Sequence, residues 1–146
     1  MGKRRKARES TLQILFQLEF DDSPPERVIG SFWQNRKSSK EIADYTRFLV
    51  MGIVSHREKI DRLIQSVSAN WRMDRMAVVD RNVLRIAVFE FMFEKSLAPA
   101  IVINEAIEIA KKYSSGEAAT FVNGILDAAR KKIEGMKKSS KDSSHV

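Results

Sequence analysis

Residues 77–94, AVVDRNVLRIAVFEFMFE, constrain the fold more than any other stretch. Wound as a helix, Leu84, Ala87, Val88 and Phe91 make one face, and Val79, Ile86, Phe89 and Phe93 make the opposite one. A helix that is apolar most of the way round has to be enclosed by others. Its Met and Phe residues are therefore core material rather than a cofactor site. The rest of the chain must supply the enclosing layer.

The flanking segments have the pattern for that layer. Ala7, Leu12, Leu15 and Phe16 start a helical stripe that runs to about Phe20. "DDSPPE" ends it, with Ser23 as N-cap, Pro24 in the first turn and Glu26 placed as in a capping box. Val28, Ile29, Phe32 and Trp33 form the next apolar face. "SSKE" repeats the capping signal with Ser38 and Glu41. Ile42, Tyr45, Leu49, Ile53, Ile60, Leu63 and Val67 then fit one long helix, or two with a break near 52–55. "NWRMDRM" reads as a connection with Asp74 as a cap. Pro99 opens a helix with Val102, Ile103, Ala106, Ile107 and Ala110 inward. Ser114 and Glu117 cap the last one, whose stripe is Val122, Ile125, Leu126, Ala129 and Ile133. Only three prolines and six glycines occur, and no strand alternation is visible. The expected fold is all-α: a compact bundle of six to eight helices in two small helical subdomains. The first four helices would form one subdomain, and the central helix and the last two the other. Residues 1–136 make a single domain, and 137–146, "KKSSKDSSHV", a disordered polar tail.

Composition narrows the function. The 146 residues carry a net charge of +7, which points to a polyanion: nucleic acid first, an anionic membrane surface second. Solubility alone is the bland alternative. The absence of cysteine excludes disulfides, thiol catalysis and Cys-type zinc sites, and fits a cytoplasmic location. No apolar run reaches the length of a membrane span. "KRRK" does not begin a signal peptide, because Glu9, Gln13, Gln17 and Glu19 interrupt the segment after it. Acid–base candidates are few. His56 falls on an apolar stripe, and His145 lies in the tail. The carboxylate pairs Asp21–Asp22 and Glu105/Glu108 read as solvated. No phosphate-loop, nucleophile-elbow or zinc-protease motif occurs. No catalytic residue, metal site or cofactor is expected, and the chain does not read as an enzyme.

The basic opening is the stronger signal. Lys3, Arg4, Arg5, Lys6 and Arg8 repel one another, which disfavours an ordered helix there in isolation. Cations are also unfavourable at a helix N-terminus. Phosphates would relieve the repulsion and make binding salt-dependent. A solvated tail, a nuclear-localisation-like patch and a membrane-surface clamp are the rival readings. Selective binding of single-stranded RNA also wants an aromatic on which a base can stack. Phe121 is the candidate, about 100° round the helix from Val122. On geometry alone, packing against a neighbouring helix is slightly favoured for it.

Three stretches carry a resemblance. "RRKARESTLQILFQ", "VVDRNVLRIAVFEF" and "VINEAIEIAKKYSSGEAATFVNGILD" resemble, in order and spacing, the opening, central helix and signature region of the NusB family of transcription antitermination factors. The resemblance extends to about Ile133. It implies an RNA-binding protein of two helical subdomains that recognises boxA-type single-stranded RNA, together with the ribosomal protein NusE. The complex would join elongating RNA polymerase and help it read through terminators, notably in ribosomal RNA operons. By position, Lys3, Arg4, Arg5, Lys6 and Arg8 match the family's basic RNA-binding segment, and Phe121 its base-contacting aromatic. Phe16 and Asp80 match positions at the partner interface. Thr120 stands where the family often has a basic residue, Phe16 lacks a tyrosine hydroxyl, and Asp80 is shorter than the family's glutamate. Arg81, Arg85 and Glu90 are expected to anchor the central helix by ion pairs. Asn104, Glu105 and Asn123 are expected to make helix–helix hydrogen bonds. The family implies a monomer or a homodimer and no membrane. The alternative is an accessory module like that ahead of ribosomal RNA cytosine methyltransferases, but the length leaves no room for a methyl-donor site.

Overall fold

The computed structural model describes residues 2–144, with side chains through residue 139. Seven α-helices are present among the described residues: α1 (Gly2–Phe20), α2 (Pro25–Trp33), α3 (Lys40–Ser55), α4 (Arg57–Val67), α5 (Val78–Phe93), α6 (Pro99–Tyr113) and α7 (Gly116–Ser144). A short 3-10 turn at Met73–Arg75 leads into α5. No strand occurs among them, and no helix is long and apolar enough to cross a membrane.

Helix α5 is the enclosed element that its sequence demands. Every residue from Asn82 to Phe91 is buried. It packs against α1, α3, α4, α6 and α7. The large core combines Leu84, Val88 and Phe89 of α5 with Leu12 and Leu15 of α1, Leu49 and Ile53 of α3, Ile60 and Ile64 of α4, Val102 and Ile109 of α6, and Val122 and Leu126 of α7. A smaller core of Ile14, Val28, Ile29, Phe32 and Val50 holds α1, α2 and α3 together. The large core thus joins α1 and α3 to α4–α7, and only the smaller one is confined to α1–α3. The pattern groups α4 with α1–α3; α4 instead packs against α5 and α7. The cause is a break at His56, where φ −113° and ψ 20° leave the helical region and turn the chain. His56 Nδ1 lies 2.9 Å from the Gly52 carbonyl oxygen.

The caps differ from expectation in detail. Helix α2 begins after Pro24 with no side-chain cap; the Ser23 N–H instead donates to Asp21 Oδ1 at 2.8 Å, forming a local turn. Ser39, not Ser38, caps α3 by accepting from the Ile42 N–H. Ser115, not Ser114, accepts from the Ala118 N–H at 3.0 Å. Asp74 sits inside the 3-10 turn, and α5 starts without a side-chain cap. Helix α7 continues through Ser144, past the point where the sequence predicts a disordered tail. His145 lies outside the described residues.

Gly52 shows how closely α3 approaches α5. A β-carbon there would overlap the Phe89 ring, which is only 2% exposed. Alanine would gain roughly 1 kcal/mol of helix propensity, but overpacking costs about 1–3 kcal/mol. Gly52→Ala is therefore expected to destabilise the protein in urea denaturation, and adding Phe89→Leu to recover much of the loss. A stabilised Gly52→Ala variant would refute the close packing.

Candidate nucleic-acid interface

Helix α1 begins at Gly2, so the cationic run is helical from its start. Repulsion and the helix dipole both oppose this. The structure supplies carboxylates from three other helices or their ends. Lys3 Nζ lies 3.0 Å from Glu41 of α3, and the Arg4 guanidinium 3.6 Å from Glu94 at the end of α5. Arg5 forms a two-pronged pair with Glu105 of α6, with Nε 2.9 Å from Oε1. Arg8 donates from Nε and Nη2 to Glu90 of α5 at 2.9–3.1 Å and from Nη1 to Glu105 at 3.1 Å.

The inner part of this network is dry. The Arg8 and Glu90 side chains are 3% and 1% exposed. The Tyr45 hydroxyl of α3 donates to Glu90, and the Arg4 guanidinium lies 4.7 Å from the Tyr45 ring centre. Two guanidinium groups thus face two carboxylates, and the charges cancel. Burial alone would lower the Arg8 pKa, but hydrogen bonds and the charge of Glu90 outweigh it and raise it. The Arg5 hydrogen bonds hold Glu105 below the usual carboxylate range. Burial pushes the Tyr45 hydroxyl up, and the Glu90 charge adds to the effect.

The cations of the opening run therefore divide. Lys3, Arg4 and Lys6 are exposed, Arg5 is half-buried, and Arg8 is inside. The Arg8 guanidinium is enclosed by Glu90 and Glu105, whereas Lys3, Arg4 and Lys6 stay open to solvent. Glu105 is likewise buried in ion pairs, not solvated as its spacing with Glu108 suggests. Asn104 and Asn123 lie exposed. Lys3 and Lys6 turn away from the network into a groove of about 690 Å³, which they line with Phe32, Trp33, Arg36 and Lys37.

At the other end of α1, the expected anchors of α5 are present. Arg81 and Arg85 both pair with Glu19, at 2.9 and 3.0 Å, and Arg85 pairs with Asp61 of α4 at 2.8 Å. Phe16 and Phe20 remain 47% and 72% exposed, with ring centres 5.3 Å apart. They line a groove of about 910 Å³ with Leu12, Phe32, Val79 and Tyr113. Asp80 follows Val79 in the first turn of α5, where helix N–H groups favour a carboxylate. Its Oδ1 is shielded from solvent and has no hydrogen-bond partner among the described residues.

Phe121 lies one and a half turns into α7, away from the cationic run. Its inner side packs on the large core, and its ring meets Trp71 edge-on, with centres 5.7 Å apart at 80°. The packing reading and the surface reading of Phe121 are thus compatible. Trp71 is 60% exposed, and the sequence pattern hides it inside a connection. A large aromatic in a polar loop was the available signal. Thr120 is exposed, and its hydroxyl donates to the Gly116 carbonyl at 3.3 Å.

The chain is thus an all-helical bundle with exposed cations at the start of α1 and a partly exposed aromatic pair, Trp71 and Phe121, contributed by the α4–α5 connection and α7. The NusB family model matches residues 5–131. Transcription antitermination protein NusB of Desulfatibacillum aliphaticivorans is 42% identical over 128 residues, spanning 88% of this chain and 90% of that protein. The protein of the same name from Myxococcus xanthus is 41% identical, spanning 87% and 94%. Among solved structures, T. maritima NusB superimposes with a TM-score of 0.79 at 40% identity, covering 88% of this chain and 90% of its own. A structure of antitermination factors NusB and NusE in complex with dsRNA contains a chain matching at a TM-score of 0.82 and 31% identity, over 90% and 98%. The chain belongs to the NusB family.

The buried network predicts two outcomes. Glu90→Ala leaves Arg8 charged with half its partners, and is expected to cost about 3–5 kcal/mol in urea denaturation. Lys3→Ala, on the surface, should stay within about 0.5 kcal/mol. Glu105 has a folded pKa below its unfolded value, so its contribution is complete above the unfolded pKa, about 4.3. It is lost as pH falls through the depressed folded value. Glu19 acts in the same sense: burial pushes it up, but its bonds to Arg81 and Arg85 bring it lower. Stability measured by circular dichroism should hold from neutral pH to about 5 and then decline. A decline beginning near neutrality would contradict the assignment.

Proposed function

We propose that this protein is a transcription antitermination factor. It binds boxA-like single-stranded RNA in nascent ribosomal transcripts together with the ribosomal protein NusE, and the complex helps elongating RNA polymerase pass terminators. The observation that carries the proposal is the division of the opening run. Buried carboxylates hold Arg8 and most of Arg5, which fixes α1 so that Lys3, Arg4 and Lys6 face solvent. Those three are the phosphate contacts. Arg5 and Arg8 are positioning residues. Phe121 offers a ring on which a base stacks. The names of the relatives support the antitermination role, and the NusB–NusE–dsRNA structure supports RNA and NusE as partners.

The second face of α1 receives the protein partner. Phe16 lines the groove that also exposes Phe20, and Val79, the neighbour of the half-buried Asp80, lines it too. Asp80 would offer its carboxylate to a hydrogen-bond donor from NusE. RNA and partner then occupy different faces of one helix, and the mechanism is assembly, without chemistry on either ligand. It would operate in the cytoplasm.

Titration of fluorescent boxA-like and scrambled RNA at several salt concentrations, with and without NusE, tests this. The boxA-like RNA should bind more tightly, and NusE should tighten it further. Lys3/Arg4/Lys6→Ala is expected to flatten the salt slope by about 2 units, at roughly 0.7 per phosphate contact on a single strand. Phe121→Ala should cost about 1–3 kcal/mol with the slope unchanged. Equal, weak binding of both RNAs with or without NusE would sink the proposal.

A further inference from the structure

Trp71, the most exposed aromatic after Phe20, belongs to neither core nor the groove of Phe16 and Phe20. It is held, not loose. Its N–H donates to the Ser68 carbonyl at 2.8 Å, and its own carbonyl accepts from Gln65 Nε2 at 3.0 Å. Gln65 Oε1 accepts from the Met73 N–H at 3.0 Å, so one side chain pins both sides of the loop. Ser68 is buried and donates to the Ile64 carbonyl at 2.8 Å. A backbone fixed in this way presents the indole at 60% exposure against the pull of the hydrophobic effect.

The ring pair has open surface. Phe121 meets Trp71 in a T-shaped contact at 80°, and Trp71 stays 60% exposed. Two arginines, Arg72 and Arg75, follow Trp71 in the same connection. Arg72 pairs with Asp74 at 2.8 Å, and Arg75 is exposed with no carboxylate within 4.0 Å among the described residues. An exposed aromatic ring with an exposed, unpaired cation following it in the same connection fits an unpaired base and its phosphate.

We propose that Trp71 and Phe121 form a composite platform for single-stranded RNA, with a base stacked on the indole and Arg75 beside its phosphate. This rests on the RNA-binding function proposed for the chain and adds a residue and a direction to it. The RNA leaves the start of α1 and reaches the loop between α4 and α5. A base already stacked inside a duplex cannot use the platform, so the site selects single strands.

The chain has two tryptophans, and Trp33→Phe leaves Trp71 as the only fluorophore of that type. In that full-length background, boxA-like RNA should quench the Trp71 emission as it binds, and a blunt RNA duplex should not. Trp71→Ala is expected to weaken RNA binding about tenfold, and Trp71→Phe to restore most of it, both without changing the salt slope. Arg75→Ala should flatten that slope by about 0.7 units. Unquenched emission with native affinity in Trp71→Ala overturns the proposal. So does quenching by NusE alone with a loss confined to NusE binding, which would assign the ring to the protein partner. Lys3/Arg4/Lys6→Ala separates the two levels. If that variant loses RNA while Trp71 is silent, the platform fails and RNA binding stands. If the native chain binds no RNA, both fail.

Discussion

The structure turns on the buried contacts among Arg8, Glu90 and Glu105. Ions of this kind are expensive to remove from water, and their mutual attraction repays the cost only with good geometry and satisfied hydrogen bonds. Here the guanidinium fork and two carboxylates come from α1, α5 and α6, and the Tyr45 hydroxyl brings in α3. Apolar packing tolerates small rotations of one helix on another. A planar, multiply bonded fork does not. The network therefore fixes the rotation of α1 as well as its position. With that rotation fixed, Lys3 and Lys6 face one groove and Phe16 and Phe20 another.

A second ion cluster holds the other end of the same helix. Glu19, near the end of α1, meets Arg81 and Arg85 near the start of α5, while Arg8 meets Glu90 near its end. The two helices run antiparallel and are clamped at both ends, with the shared apolar core between. This arrangement explains how α5 carries Arg85 and Glu90 among residues that are otherwise almost all apolar. Each buried charge on the central helix has a partner on α1, and a register slip between the two helices would strand charges at both clamps.

The apolar all-round character of 77–94 was legible because burial on every side leaves a trace in every position of the segment. Periodicity also located the other helical segments, though it left α3 and α4 as one long helix or two, and Pro99 marked the start of α6. The caps slipped by one at Ser39 and Ser115, because adjacent serines offer the same chemistry and only backbone angles choose between them. The place of α4 was not legible, since one residue, His56, redirects the chain. The role of Arg8 was hidden for a different reason. Its partners lie 82 and 97 residues away in sequence, and a cation within a basic run looks like its neighbours. Trp71 gave only the signal of a large aromatic in a polar connection; that its loop is held rigid was hidden, because the residue that pins it, Gln65, belongs to no pattern.

The same clamp also explains why a helix can start on five closely spaced cations. In isolation each would oppose the next and the helix dipole. In the fold, Lys3, Arg4, Arg5 and Arg8 each meet a carboxylate held by another element, and Lys6 faces the groove. The pairings grade from buried to exposed along the run: Arg8 is locked, Arg5 is half-buried, and Lys3 and Arg4 hold carboxylates that water already screens. A polyanion can therefore compete for the outer cations at little cost, whereas taking the inner ones would strand Glu90 and Glu105. Under the proposed function, charge at that surface carries affinity without sequence preference, and selection falls to the aromatic surfaces farther along the fold.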